Sequence, residues 1–424
     1  YTYLVLNLAI IAYVGWQYFK PRENIKLKAI FQRLLAVGLP ILLLVGLTVL
    51  LYQSFNAYFK PGYSEIGYWK GAKTPLGSYF THWALFVIII AFWLSWETHQ
   101  WMASTPLSAL QKLNPYKPYI VGGLLGFGLI LAGLLITKVV VALVILPLGL
   151  WTLVLLLRPG QADGKRLVLF MIGTGLLLSL MVELVYLVGD IGRMNVVFKL
   201  YMQAWVFFAL ASGACLAWLL GAFNRWCLRT QVLFEVLLIM LTFSAALFPL
   251  MATTDKIKDR MQTAVPLSLD GMTYMAYSTH YDMGSEMDLS EDYWAIRWMQ
   301  DNIQGSPVIL EGQAYEYRWG NRFTIYTGLP SVVGWNYHQR QQRAILRSNA
   351  VQERVDQVGQ FYLTEDRNFV QDFLAKYEVS YIVFGQLERL FYPGAGLEKY
   401  EAWNGIIWDE VFRYGSTVIY QVRR

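Results

Sequence analysis

The chain has 424 residues, 56% of them hydrophobic and 15% charged, with a formal net charge of +6. That is too apolar for an ordinary soluble protein and too long for one domain. The charge is divided between unlike halves. Residues 1–252 carry 18 Lys/Arg against 7 Asp/Glu, net +11, and residues 253–424 carry 17 against 22, net −5. The overall excess is therefore an average, and no nucleic-acid partner is expected.

In chain order, apolar runs near twenty residues long fall at 3–19, 34–53, 79–96, 118–136, 138–157, 167–189, 196–220 and 231–251. About 20 apolar residues are needed to cross roughly 30 Å of hydrocarbon. Each such segment must be helical, because lipid offers no partner to free backbone groups. The fold class expected is a polytopic α-helical membrane bundle of about eight spans (1–252), followed by an extracytoplasmic α/β domain (253–424). The chain opens on Tyr1, and a preceding segment is expected to be missing.

Loop charge orients the bundle. Loops 20–33, 97–117, 158–166 and 222–230 hold 12 Lys/Arg, and the opposite loops hold five: Lys60, Lys70, Lys73, Lys138 and Arg193. Positive residues stay inside, so the first set is cytoplasmic, and the last domain lies outside a plasma membrane. Cys215 and Cys227 are twelve residues apart on or near one helix, about 18 Å by helical rise, too far for a disulfide.

The loop "SFNAYFKPGYSEIGYWKGAKTPLGS" (54–78) mixes aromatic residues and lysines. It suits an interfacial aromatic belt first and a lipid-phosphate or sugar site second. The stretch "VELVYLVGDIGRMNVVFKLYMQAW" (182–205) raises the sharper question. Charges inside spans are expensive and face a cavity or a partner. Glu183, Tyr186 and Asp190 have helical spacing, which would align them on one face of the sixth span with Glu183 about two turns deep. Asn195 and Lys199 are i and i+4 on the seventh span, with Arg193 in the turn between. Two readings stand level here: an interhelical salt-bridge cluster, or a polar site that receives an anionic ligand. Glu235, in the last span, reads as structural.

Beyond residue 252, "EDYWAIRWMQDNIQG" reads as a helix, and "PVILEG", "SYIVFG" and "STVIYQV" as strands. Residues 338–358 and 366–377 have helical periodicity, giving a small sheet covered by helices. Trp335, His338, Arg340 and Arg343 follow the turn "GLPSVVGW". Aromatic faces stack on sugar rings and arginines grip phosphate, although a capped helix with a solvated basic face explains the same residues. Glu311 suits a ligand or a salt bridge to Arg318 or Arg322. There is no glycine-rich phosphate loop and no Cys/His set with zinc spacing.

Five blocks then carry a resemblance: "ELVYLVGDIGRMNVVFKLYMQAW", "LDGMTYMAY", "AIRWMQDNIQGSPVILEG", "TGLPSVVGWNYHQRQQR" and "YIVFGQLERLFYPGAGLEKY". Over roughly residues 75–424 the chain resembles an uncharacterised family of polytopic membrane proteins named for a Tyr-Tyr-Tyr-x-Gly motif. That family is grouped by architecture with GT-C glycosyltransferases, which take sugar from a polyprenyl-phosphate donor on the outer membrane face. The chain lacks the Tyr-Tyr-Tyr-x-Gly stretch itself. The resemblance implies an external carboxylate base, expected before residue 1, with cations for the departing phosphate: Arg193 and Lys199, and more weakly Arg340 and Arg343. A divalent metal is compatible with it, with no ligand set to name. The rival expectation is a non-catalytic accessory subunit of a larger membrane assembly. A transporter fits less well, for want of paired Gly/Pro-broken helices in matching halves.

Overall fold

The computed structural model describes residues 27–59, 65–189, 191–343, 346–347 and 349–423, with Ile11 and Gly15. The chain forms two compact units, Tyr1–Leu51 with Tyr63–Thr253, and Tyr52–Gly62 with Thr254–Arg424.

The first unit is helical. Its main elements are α1 (Leu27–Leu51), β1 (Glu65–Tyr68), α2 (Leu76–Ser104), α3 (Lys117–Ile136), α4 (Ala142–Leu157), α5 (Asp163–Leu184), β2 (Val185–Val188), α6 (Arg193–Ala222) and α7 (Leu228–Arg260). Among the described residues, six helical segments are long and apolar enough to cross a membrane, namely those containing α1, α2, α3, α5, α6 and α7. The expected span at 3–19 lies outside the described residues apart from Ile11 and Gly15. The expected span at 138–157 shortens to the 16 residues of α4, about 24 Å of rise. The reason is local. The chain turns through Thr137–Val141 with Lys138 at φ 65°, so those residues close a loop rather than extend a helix.

Helices α2, α5 and α6 supply the core. Trp83 and Trp93 on α2 are fully buried, against Leu169 and Ile172 of α5 and Phe208 of α6. The Trp83 ring lies 5.3 Å from that of Phe208, edge to face. In lipid such contacts act through close packing, since the surrounding chains are as apolar as leucine. At one end of this bundle Glu97 of α2 is paired with Lys165 and lies 3.9 Å from Arg158. At the other end β1 and β2 meet.

The second unit holds a four-stranded sheet in the order β5 (Val308–Leu310), β6 (Val379–Phe384), β8 (Thr417–Val422), β7 (Trp408–Tyr414). The β5–β6 pair is parallel and the rest antiparallel. A separate hairpin joins β3 (Thr279–Asp282) to β4 (Ser285–Asp288). Helices α8 (Leu289–Asn302), α9 (Arg322–Thr327), α10 (Asn336–Gln342), α11 (Ala350–Leu363), α12 (Arg367–Lys376) and α13 (Gln386–Phe391) accompany these strands. Strands β5, β6 and β8 fall on the three runs read as strands. Strand β7 escapes that reading because "WDEVFRY" interleaves charge with bulk. The helix expected over 338–358 is two, α10 and α11, with Arg343 and Asn349 in turns. Phe361, Ile382, Trp408 and Val418 are buried in the sheet's core, each worth on the order of 2 kcal/mol of apolar transfer.

Candidate functional site

Helix α5 stops at Leu184 because the following residues, Val185–Val188, include two β-branched valines and a tyrosine and find a partner strand. β2 pairs antiparallel with β1 in the register Glu65↔Val188 to Tyr68↔Val185. Trp69 N extends the ladder, donating to Leu184 O at 2.8 Å. Gly67 faces Tyr186, whose ring lies where a Cβ on residue 67 would come within 2.5 Å of it. This corrects the helical alignment of Glu183, Tyr186 and Asp190. Glu183 sits in the last turn of α5, Tyr186 is in a strand, and Asp190 lies outside the described residues.

The ribbon carries the loop Trp69–Pro75 onto the end of α5. Glu183 is fully buried, and its carboxylate accepts from Thr74 N at 3.0 Å and Thr74 Oγ1 at 2.6 Å. It is also ion-paired with Arg193, the first residue of α6. The guanidinium donates further to Val182 O at 2.7 Å, Ala72 O at 3.2 Å and Thr74 Oγ1 at 2.8 Å. A carboxylate at a helix C-terminus opposes the helix dipole, and burial adds a desolvation cost that only complete hydrogen bonding offsets. Arg193 and Thr74 supply it. Glu183 and Arg193 therefore face each other in a closed cluster and do not line an open hollow. Asn195 and Lys199 are half-buried on successive turns of α6.

Beside the cluster is an open space. A cleft of about 470 Å³ is bordered by Lys70, Lys73 and Thr74 from the loop and by Thr137, Lys138 and Val140 from the α3–α4 turn. Its described lining contains three lysines and no carboxylate. Lys73 Nζ donates to Trp69 O and Glu183 O, both at 2.6 Å, which leaves one of its three protons for a ligand. Lys138 holds φ 65°, a conformation uncommon for a side-chain-bearing residue. Two loops 60 and more residues apart thus place like charges around one cavity, at a Coulombic cost unless an anion enters. By sequence, the loop that holds Lys70, Lys73 and Thr74 suits an aromatic belt first and a lipid-phosphate or sugar site only second, and Thr74 is not singled out. The signal available was the lysine spacing in "YWKGAKTP".

The residues expected in the second unit do not converge. Trp335 precedes α10, and His338 is exposed on it. Arg340 donates to Gln352 Oε1 at 3.1 Å and lies 4.0 Å from Glu316. Arg343 bonds Gln339 and faces a different cavity from Arg340. Glu311 pairs with neither arginine named for it as a hydrogen-bond partner. Its carboxylate accepts from Phe323 N at 2.9 Å and Thr324 N at 3.0 Å, closing the first turn of α9.

Arg318 instead binds Asp282 at 3.1 Å. Arg322 binds Asp292 at 2.6 Å and Glu388 at 3.0 Å, all three being buried. Burial works to raise Glu388, and Arg322 with the amides of Gly312 and Gly385 outweighs it, holding that carboxyl below its usual range. For Asp292 burial prevails over Arg322, and its carboxyl is raised. No run of periodicity announces this triad, whose members are scattered from residue 292 to 388. Among the described residues no group of three or more His, Cys, Asp or Glu is placed to hold a metal ion.

A family model described as "Uncharacterized membrane protein (DUF2298)" matches residues 1–208. That stretch includes the ribbon, the Glu183–Arg193 cluster and the lysine cleft. Of the five blocks that carry the family resemblance, only the first lies within it. No curated protein matches the chain. With its apolar helices, the match makes this a membrane protein.

Proposed function

We propose that the chain binds the phosphate of a polyprenyl-phosphate-linked sugar at the outer membrane face and serves glycosyl transfer from that donor. The observation that carries this reading is the cleft with Lys70, Lys73 and Lys138 in its lining and no carboxylate among them. It lies at the end of the spans, where a lipid phosphate resides. The family resemblance supplies the reaction class. In that reaction an acceptor hydroxyl attacks the anomeric carbon, the bond to the lipid phosphate breaks, and fixed ammonium groups stabilise the charge that develops on the phosphate. The described lining holds no base, so the acceptor's proton goes to a carboxylate elsewhere. Arg193 holds the loop that presents Lys73, which replaces direct phosphate contact as its role. The 12-to-5 distribution of loop Lys/Arg supports an outward cleft and an outward C-terminal unit.

The test is binding of a short-chain polyprenyl phosphate to Lys70→Gln/Lys138→Asn, a pair that leaves the Glu183 cluster intact; asparagine tolerates the left-handed backbone. At about 1 kcal/mol per cation near an anionic surface, affinity should fall about 30-fold. Unchanged affinity rejects the phosphate site. The accessory-subunit reading has its own support. Helices α3 and α7 are almost unburied by the rest of their unit, leaving flanks for lipid or another membrane subunit.

A further inference from the structure

The C-terminal unit contains a second cavity of different chemistry. It measures about 810 Å³ and lies between α11, the segment Gln313–Glu316 and the end of α13. That volume is ordinary for a small-molecule site, roughly 300–1,000 Å³. One wall is a helical stripe. Gln352, Asp356, Gly359 and Gln360 recur at three- and four-residue intervals along α11 and so share a face.

Four amide side chains, Gln313, Asn336, Gln352 and Gln360, line this groove. Gln313 and Gln360 border it, and their side chains make no hydrogen bond among the described residues. Charge is nearly balanced. Arg340 stands 4.0 Å from Glu316, and Asp356 accepts from Gln352 Nε2 at 2.8 Å. Two carboxylates against one guanidinium disfavour a phosphate or other anion.

Aromatic surface completes the site. The Tyr315 ring is 63% exposed at the rim, 6.1 Å from Phe391. Tyr392 is fixed by stacking on Tyr362 at 5.0 Å and by exchanging 2.9 Å hydrogen bonds with the backbone of Gln313. Beside the Tyr392 ring α11 carries a glycine, Gly359, in its interior, at a cost of about 1 kcal/mol relative to alanine. A Cβ at Gly359 would lie 3.6 Å from Tyr392 Cε1, an ordinary contact. Packing therefore does not require the glycine. What it preserves is a bare floor beside an aromatic face.

We propose that this groove binds a neutral oligosaccharide, with amides and carboxylates meeting the hydroxyls and Tyr315 and Tyr392 meeting the apolar ring faces. The proposal does not depend on the lipid-phosphate reading, since its groove lies wholly within the C-terminal unit and disfavours anions. Saturation-transfer NMR on the full chain in nanodiscs, free of sugar detergents, tests it with maltotriose, cellotriose and chitotriose. Transfer to at least one trisaccharide is expected. Gly359→Leu fills the floor and favours the helix; it should weaken binding about tenfold, the size of one lost aromatic contact. Tyr315→Ala, at an exposed position, should do the same without affecting the fold. The proposal is overturned if none of the three sugars receives saturation, if an oligolysine peptide binds in their place, or if both variants bind the sugar as tightly as the parent.

Discussion

Arg322 is among the most buried charged side chains described in the C-terminal unit. It is buried between Asp292 and Glu388, and Glu388 also accepts from Gly312 N and Gly385 N at 2.9 Å each. Removing one partner of a buried ion pair costs about 3–5 kcal/mol, because the remaining charges lose compensation but stay buried. Arg322→Met should destabilise the C-terminal unit by that amount at neutral pH. The sign of its pH dependence follows from the two carboxyls. Glu388 is held low, so its stabilisation is complete above the ordinary glutamate value of about 4.3 and is lost as pH falls through its depressed folded value. Asp292 is held high and acts in the opposite sense, gaining as pH falls through its raised value. Without the guanidinium both carboxyls take up protons more readily. The gap between variant and parent should therefore narrow in acid. Guanidinium unfolding, read by hydrogen exchange over Ile309–Thr324, measures it, and a gap that stays constant with pH would contradict this account of the triad.

At the level of the element, the β1–β2 ribbon presents the lysine cleft, and one glycine sets its geometry. Gly67→Leu would place a Cβ within 2.5 Å of the Tyr186 ring, and overpacking of that kind costs about 1–3 kcal/mol. With the ribbon loosened, the Thr74 hydroxyl should leave Glu183. A cysteine placed at Thr74 should then react faster with a polar maleimide in the Gly67→Leu background than in the parent. The same ribbon shows what the sequence could and could not convey. Six of the eight expected spans were legible because hydropathy over twenty residues needs no partner. Strands β5, β6 and β8 were legible because Gly and Pro punctuate them. The end of α5 was not. "VYLV" is as apolar as the helix before it, and an apolar run of four does not distinguish helix from strand. Only pairing with Glu65–Tyr68, some 120 residues earlier, decides it. The charged turn was visible as an anomaly, but its closure by Thr74, and the alignment of Lys70 with Lys138, depend on that long-range contact.

For the whole molecule the decisive property is orientation. Under the orientation proposed from twelve Lys/Arg in one set of loops against five in the other, the cleft end of the bundle is outside and the Glu97–Lys165 end is in the cytoplasm. The bundle agrees on which loops share an end, since the Trp69–Pro75 loop meets the α3–α4 turn while Glu97 meets Lys165. Which end faces out can be read with the chain's own thiols. Cys215 is buried and silent, whereas Cys227 is exposed before α7. In sealed cells Cys227 should resist a membrane-impermeant maleimide and react after permeabilisation. Ser285→Cys, on the exposed β3–β4 hairpin, should react without permeabilisation. The opposite pattern would put the lysine cleft in the cytoplasm and remove the outer-leaflet donor from the proposed reaction. It would leave intact both the closed Glu183–Arg193 cluster and the groove on α11.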